Sequence, residues 1–227
     1  MPLIDFNRRH SDIARVSHPI RPLSWLQGGI ELFLSRWYYV LALILLQSLV
    51  SLITLGILAG PLSVGLYRIL DRLQDEPEYR PTLRDLFNGF DRFTDSVLFF
   101  FIWGVVALLV IQFIIFIPLI GVLVSVVIVL FILPLAQFGF PLIGLHGHDW
   151  RAASMLLLTG LTRQPVLLPM AAWLFALLPL AGALLLTRAP LAGFFLSVAL
   201  SGVTFCSVSF ASRYLTPWLT ESESEPE

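Results

Sequence analysis

The sequence has few charged residues and no lysine at all. Only 13% of its 227 residues are charged, while 57% are hydrophobic. Soluble domains carry about 25% charged residues, so a chain with half that share cannot cover a soluble surface of this size. A lipid bilayer supplies the apolar solvent that such a composition needs. The sequence therefore predicts an integral membrane protein.

Two further shortages exclude whole classes of function. Cys206 is the only cysteine, which excludes an internal disulfide and a metal site built from cysteines alone. The formal net charge is −1, so no general attraction for nucleic acid is expected. The first apolar run comes after a polar stretch that contains Asp5 and Asp12. We expect no cleavable signal peptide, and the first membrane helix is expected to act as the insertion signal.

Long runs without charge predict the membrane segments. A helix needs about 20 apolar residues to cross a bilayer, and five runs meet that need, at 37–55, 96–117, 122–140, 164–186 and 191–211. The stretch 56–73 is also apolar but is interrupted by glycine and proline, so we expect a short or re-entrant segment there. The predicted fold is an all-α polytopic transmembrane bundle of about six membrane segments.

Three amphipathic stretches precede these runs, and each opens on a polar residue suited to cap a helix. The capping residues Ser24, Thr82 and Asp149 predict interfacial helices near 24–35, 82–93 and 149–162. The recurrence fits either a threefold internal repeat or the alternation of surface and spanning helices found in any multi-pass protein.

The second amphipathic stretch has the clearest pattern of the three. Phe87, Phe90 and Phe93 follow helical spacing, and Arg84 and Arg92 belong to the opposite face. An apolar stripe beside charged residues is typical of a helix lying in the membrane interface. We expect these five residues to anchor the chain at the surface.

The arginines predict the orientation, because cytoplasmic flanks of membrane helices are enriched in basic residues. If 37–73 enters and leaves on one side, 13 arginines lie inside and only Arg188 lies outside. If 56–73 does not cross, the best division is 8 against 6. The first arrangement predicts a multi-pass protein of the bacterial inner membrane with both termini in the cytoplasm. Its parts are a polar tail (1–23), one transmembrane domain (24–213) and an acidic, disordered tail (214–227).

Three short motifs resemble a family of bacterial integral membrane proteins with about six spans and a domain of unknown function. They are Pro22-Leu23-Ser24-Trp25-Leu26-x-x-Gly29, Gly60-Pro61-Leu62-Ser63-x-Gly65-Leu66-Tyr67 and Asp85-Leu86-Phe87-x-Gly89-Phe90, and the likeness extends over roughly residues 20–212. The resemblance implies about six spans with cytoplasmic amphipathic connections. It implies no chemistry, because the family has no assigned activity.

Few polar side chains fall inside the predicted spans. They include Gln47, Gln112, Ser125 and Gln137, and the clear spans contain no aspartate or glutamate. Proton-coupled carriers usually carry ionisable groups at this depth. We interpret the glutamines as interhelical hydrogen-bonding residues, each contributing about 1 kcal/mol or less. A continuous polar cavity lined by these four residues would instead indicate a channel or a carrier.

One cluster has side chains capable of metal binding or acid–base chemistry. His146, His148 and Asp149 lie close together in the sequence, but a zinc site needs three or four ligands and a supporting shell. Because Asp149 is also a helix cap, these residues are weak candidates for a metal or catalytic site. We expect no cofactor and no catalytic residue.

The functional prediction is correspondingly general. We predict that the protein is a non-enzymatic accessory, assembly or envelope-maintenance component that acts through lipid, a membrane protein partner or a second copy of itself. The alternatives are a channel or transporter for a small solute, and a membrane enzyme that uses the His146, His148 and Asp149 cluster.

Overall fold

The computed structural model of the protein describes residues 21–76, 78–116 and 118–221, without the side chains of 110–111, 113–131 and 220–221. Within these ranges it contains seven α-helices, one 3-10 helix and no strand. The prediction of an all-α fold is confirmed.

The helices form three consecutive pairs. In chain order the elements are α1 (Pro22–Ile53), α2 (Ala59–Asp75), the 3-10 helix (Leu83–Arg92), α3 (Phe93–Phe116), α4 (Pro118–Leu145), α5 (Trp150–Arg163), α6 (Leu167–Leu185) and α7 (Pro190–Glu221). The pairs α1–α2, α3–α4 and α6–α7 each pack together, and the 3-10 helix and α5 connect one pair to the next. Each pair thus follows a short amphipathic stretch.

Four helical segments in the described residues are long and apolar enough to cross a membrane. They are Pro22–Ile53, Leu83–Leu109, Leu167–Leu185 and Pro190–Leu219. These segments support a membrane protein, but they are fewer than the six predicted. The helix α2 has 17 residues and carries charged side chains in its second half. The apolar part of α4 with described side chains, Ile132–Leu145, is shorter than a span.

The first predicted helix start is wrong. Helix α1 begins at Pro22 with Arg21 as its N-cap, and Ser24 Oγ donates a hydrogen bond to the Arg21 carbonyl at 2.9 Å. Proline suits the first helical position because it has no N–H to satisfy there, so the helix starts before Ser24. A helix is present over the predicted stretch 24–35, and only its start and its cap residue differ from the prediction. A kink at Arg36, with φ −135° and ψ 24°, divides it from the span.

The other two predicted helix starts are confirmed. The backbone N–H and the Oγ1 of Thr82 donate hydrogen bonds to Asp85 Oδ2 at 2.8 and 2.9 Å. Asp149 Oδ1 accepts a hydrogen bond from the Ala152 N–H at 2.7 Å and caps α5. The helix after Thr82 is 3-10 in geometry through Arg92, and α3 continues from it.

The acidic tail predicted from residue 214 is helical for its first eight residues. Helix α7 continues to Glu221. The prediction of a disordered tail did not take account of the apolar residues at the start of this stretch. Leu215 and Leu219 are 1% and 2% exposed, so burial holds this part of the helix against the bundle. Residues 222–227 and most of the predicted N-terminal tail, 1–20, lie outside the described ranges.

Helix α2 is at the centre of the bundle. Eleven of its 17 residues are buried, and it packs against α1, α3, α4, α7 and the 3-10 helix. A methyl group on Gly65 would overlap the Leu86 carbonyl, and one on Gly89 would overlap the Pro61 carbonyl. The backbones of α2 and the 3-10 helix are therefore in direct contact.

We expect Gly65→Ala to destabilise the bundle, because the added methyl group must push the 3-10 helix away from α2. Forcing an extra methyl group into a packed core costs about 1–3 kcal/mol. The measurement is the unfolding temperature of the purified protein in detergent, which should fall by several degrees.

Gly104→Ala is the matched control, because nothing lies within 4 Å of the position where its methyl group would be. Both changes replace a glycine inside a helix by alanine. Each therefore gains the same intrinsic helix propensity, which favours the helix by about 1 kcal/mol. Equal unfolding temperatures for the two variants would contradict the direct backbone contact.

Candidate functional site

Polar side chains from several helices meet where α2 ends, α3 begins and α4 ends. Arg68 is the centre of this cluster. Its Nε donates to the Gly144 carbonyl at 2.9 Å and its Nη1 to the Asn88 carbonyl at 2.7 Å. The same guanidinium binds both oxygens of Asp91, at 2.8 and 3.0 Å. One side chain thus joins α2, the 3-10 helix and the C-terminus of α4.

A second arginine joins the last helix to α2. Arg213 of α7 donates to Asp71 Oδ1 and to both oxygens of Asp75, each at 2.7–2.8 Å. It also donates to the Asp71 carbonyl at 2.8 Å. By binding this carbonyl and both carboxylates, one guanidinium ties α7 to the second half of α2.

A pocket of about 370 Å³ opens between these elements. Its wall comes from the second half of α2, the linker before the 3-10 helix, the 3-10 helix itself and the end of α4. The lining residues are Arg68, Ile69, Asp71, Arg72, Tyr79, Asp85, Asn88, Gly144 and Leu145. Two guanidinium groups and two carboxylates therefore face one small volume.

Tyr79 links the charged groups of the pocket. The Arg72 guanidinium lies over the Tyr79 ring, 5.2 Å from its centre, and the Tyr79 hydroxyl donates to Asp85 Oδ2 at 3.0 Å. Burial raises the pKa of Tyr79, and the hydrogen bond to Asp85 raises it further, whereas Arg72 opposes this shift. The phenol consequently stays protonated at neutral pH and remains a donor.

Three of the four polar residues predicted within the spans, Gln47, Gln112 and Gln137, have described side chains. Gln47 Nε2 donates to Ser63 Oγ of α2 at 2.8 Å, which is an interhelical hydrogen bond. Gln137 accepts a 3.5 Å hydrogen bond from the Tyr67 hydroxyl through its backbone carbonyl. Gln112 is exposed on α3, and the Ser125 side chain lies outside the described part of the chain. The described members of the set do not line one cavity.

The histidine cluster gains no support as a metal site. Asp149 is engaged in capping α5, and the described residues contain no group of three His, Cys, Asp or Glu side chains placed to hold a metal ion. Burial lowers the pKa of His146, the nearby His148 lowers it further, and Asp71 raises it. His146 is therefore neutral at pH 7.

The predicted anchor forms a continuous aromatic surface on the 3-10 helix. The rings of Phe87 and Phe90 are 5.6 Å apart, and those of Phe90 and Phe93 are 5.9 Å apart. Phe87 is 43% and Phe93 is 37% exposed. Arg84 is exposed, and Arg92 lies 4.0 Å from Asp95. Anchoring by this surface in a membrane interface stays a prediction.

Comparison with known proteins gives no relative: no family model, no curated protein and no solved structure matches this chain.

Sequence reasoning missed the pocket and the arginine that holds it together. Arg68 and Arg72 belong to the arginines that predict the orientation, and Asp85 belongs to the third sequence motif, but neither pattern indicates that these residues share a pocket. One signal was available, because Arg68 and Asp71 interrupt an otherwise apolar helix. Charges in such a helix are expected to have partners.

We expect Arg68→Ala to destabilise the protein by about 1–2 kcal/mol, since hydrogen bonds to a charged group are lost at a partly exposed site. Arg68→Lys should recover only part of this loss, because an ammonium group cannot bind Asp91 through two parallel hydrogen bonds. Thermal unfolding in detergent is the measurement.

The exposed Arg84 provides a matched control, because it comes from the same polar end of the bundle. Arg84→Ala is expected to leave the unfolding temperature unchanged. Identical behaviour of the Arg68→Ala and Arg84→Ala variants would show that Arg68 does not join the three elements in solution.

Proposed function

We propose that this chain is a multi-pass protein of a bacterial inner membrane that has no enzymatic activity. In this proposal it acts as an accessory, assembly or envelope-maintenance component, through contacts with lipid or with a partner membrane protein. The observation that carries the proposal is the separation of charge within the bundle. Charged side chains of several helices, such as Arg68, Asp91 and Arg213, lie together at one end of the bundle. Away from that end, apolar packing and direct backbone contact join the helices.

The sequence of the helices supports this separation. No charged residue occurs in 37–67, 96–145, 164–187 or 189–212. A proton- or ion-coupled carrier usually needs ionisable groups within the membrane. The only cluster suited to acid–base or metal chemistry, around His146, is engaged in part as a helix cap. These features favour a structural or interaction role over coupled transport and over catalysis.

The proposal includes six membrane segments, with α2 and α4 added to the four apolar segments. Arg68 brings the end of α2 beside the start of α3 and the end of α4, and Arg213 brings the end of α7 to the same place. Each helix pair would therefore leave this end and return to it. Because basic residues favour the cytoplasm, we assign this end, with both termini, to the cytoplasmic side.

A second candidate function, a channel or carrier for a small solute, is favoured by one specific observation. Four buried polar atoms have no hydrogen-bond partner among the described residues: Gln47 Oε1, Ser51 Oγ, Gln137 Oε1 and Trp173 Nε1. Buried polar groups are normally paired, often by an ordered water. Gln47 and Ser51 are one helical turn apart on α1, so water or a small polar solute between them would complete their hydrogen bonding.

The two candidate functions predict different permeabilities for liposomes that contain the protein. Purified protein is reconstituted into liposomes, and the entry of water, glycerol, urea and potassium is followed by light scattering after rapid mixing. We expect entry rates equal to those of protein-free liposomes, because the accessory role requires no passage of solute through the bundle. Faster entry of any solute in the wild type, abolished in Gln47→Leu, would replace the accessory role with the channel.

The six-segment topology makes a separate prediction for the loop after α2. A fluorescent protein fused after Asp75 should fluoresce and a phosphatase fused there should stay inactive, because that site is placed in the cytoplasm. Fusions after Arg188 serve as the control and should give the opposite pair of results. An active phosphatase after Asp75 would mean that α2 does not return across the membrane.

A further inference from the structure

The pocket contains a guanidinium, that of Arg72, that forms no ion pair with a carboxylate of the described residues. Arg68 is paired with Asp91, and Asp71 is paired with Arg213. Arg72 differs, because within the described ranges no carboxylate oxygen lies within 4.0 Å of it, and it rests on the Tyr79 ring. A guanidinium oriented by an aromatic ring presents its free N–H groups in a fixed fork, which suits a phosphate or a carboxylate.

The same pocket contains a carboxylate with one oxygen largely unused. Asp85 Oδ2 accepts three hydrogen bonds, from the Thr82 N–H, the Thr82 hydroxyl and the Tyr79 hydroxyl, at 2.8–3.0 Å. Asp85 Oδ1 has only a long contact of 3.5 Å with Asn88 Nδ2. A carboxylate oxygen can accept more than one donor, so Oδ1 remains available to a ligand.

A guanidinium without an ion pair and a carboxylate with an available oxygen, both in one pocket, favour a ligand that carries both charges. A simple anion would be attracted by Arg72 but repelled by Asp85. A simple cation would be attracted by Asp85 but repelled by Arg72. The volume of about 370 Å³ is within the range of small-ligand sites, about 300–1,000 Å³. The pocket also shares the 3-10 helix with the exposed ring of Phe87, which is suited to contact with lipid.

We propose that this pocket binds a phosphate ester that bears an amine, with the phosphate on Arg72 and the ammonium on Asp85. A phosphoethanolamine headgroup of a membrane lipid has this chemistry, and so does free phosphoethanolamine. The proposal goes beyond the accessory role and does not depend on it. A protein that conducts solutes could still bind this headgroup. The permeability experiment therefore tests the accessory role alone, and the binding experiment tests the headgroup site alone.

The test is a calorimetric titration of the purified protein in a neutral detergent. The probes are a short-chain phosphatidylethanolamine, a short-chain phosphatidylglycerol with the same tails, and free phosphoethanolamine. The wild type should bind the ethanolamine lipid more tightly than the glycerol lipid. Arg72→Gln should weaken binding of the ethanolamine lipid about tenfold or more, since a charge-assisted hydrogen bond is lost.

Arg84→Gln is the matched control, because this exposed arginine of the 3-10 helix does not line the pocket. It should bind as the wild type does. Asp85→Asn should reduce the preference for the ethanolamine lipid over the glycerol lipid, provided that its unfolding temperature shows an intact cap. Arg72→Gln does not rely on this condition, because Arg72 is exposed and has no ion pair to lose.

The remaining outcomes decide the source of the ligand or end the proposal. Free phosphoethanolamine that binds as tightly as the lipid supports the pocket chemistry and assigns it to a soluble ligand. Equal affinity of the wild type for both lipids would show that the amine is not recognised. Unchanged binding in Arg72→Gln would show that the phosphate lies elsewhere, and either of these last two results overturns the proposal.

Discussion

The direct contact between the backbones of α2 and the 3-10 helix is the constraint on which the rest of the structure depends. Gly65 and Gly89 leave no room for a methyl group on either side of this contact. The close approach lets Arg68 reach the Asn88 carbonyl, Asp91 and the end of α4 at the same time. It also places Asp85 across a small pocket from Arg72. A wider separation would remove both the junction and the pocket.

Two kinds of contact hold the bundle, and they occur in different places. At the charged end, Arg68 and Arg213 join helices that are far apart in the sequence. Uncharged contacts join other helices of the described part of the chain, as where Thr204 Oγ1 of α7 donates to the Phe175 carbonyl of α6 at 2.8 Å. Lipid provides no hydrophobic drive between helices, so close packing and short hydrogen bonds must hold them together. The charged end then adds specificity to which helices meet.

The features that depend on local sequence were predictable, and those that depend on distant contacts were not. The capping residues Thr82 and Asp149 act within one helical turn, so their patterns were sufficient. The Ser24 prediction failed because Pro22, two residues earlier, starts the helix sooner. The stretch 56–73 was predicted to be a short or re-entrant segment, and most of it forms the 17-residue helix α2, which packs against five neighbouring elements. The pocket could not be predicted, because Arg72 and Asp85 come together only through the glycine contact.

The bond between Arg213 and Asp71 spans 142 residues of the chain, and this separation has a consequence for biogenesis. During synthesis, α2 leaves the ribosome long before its partner on α7 exists. Until α7 is made, Asp71 and Asp75 lack their guanidinium partner, and the second half of α2 lacks this bond to the last helix. The bond that ties the first helix pair to the last one can therefore form only after nearly the whole chain has been synthesised.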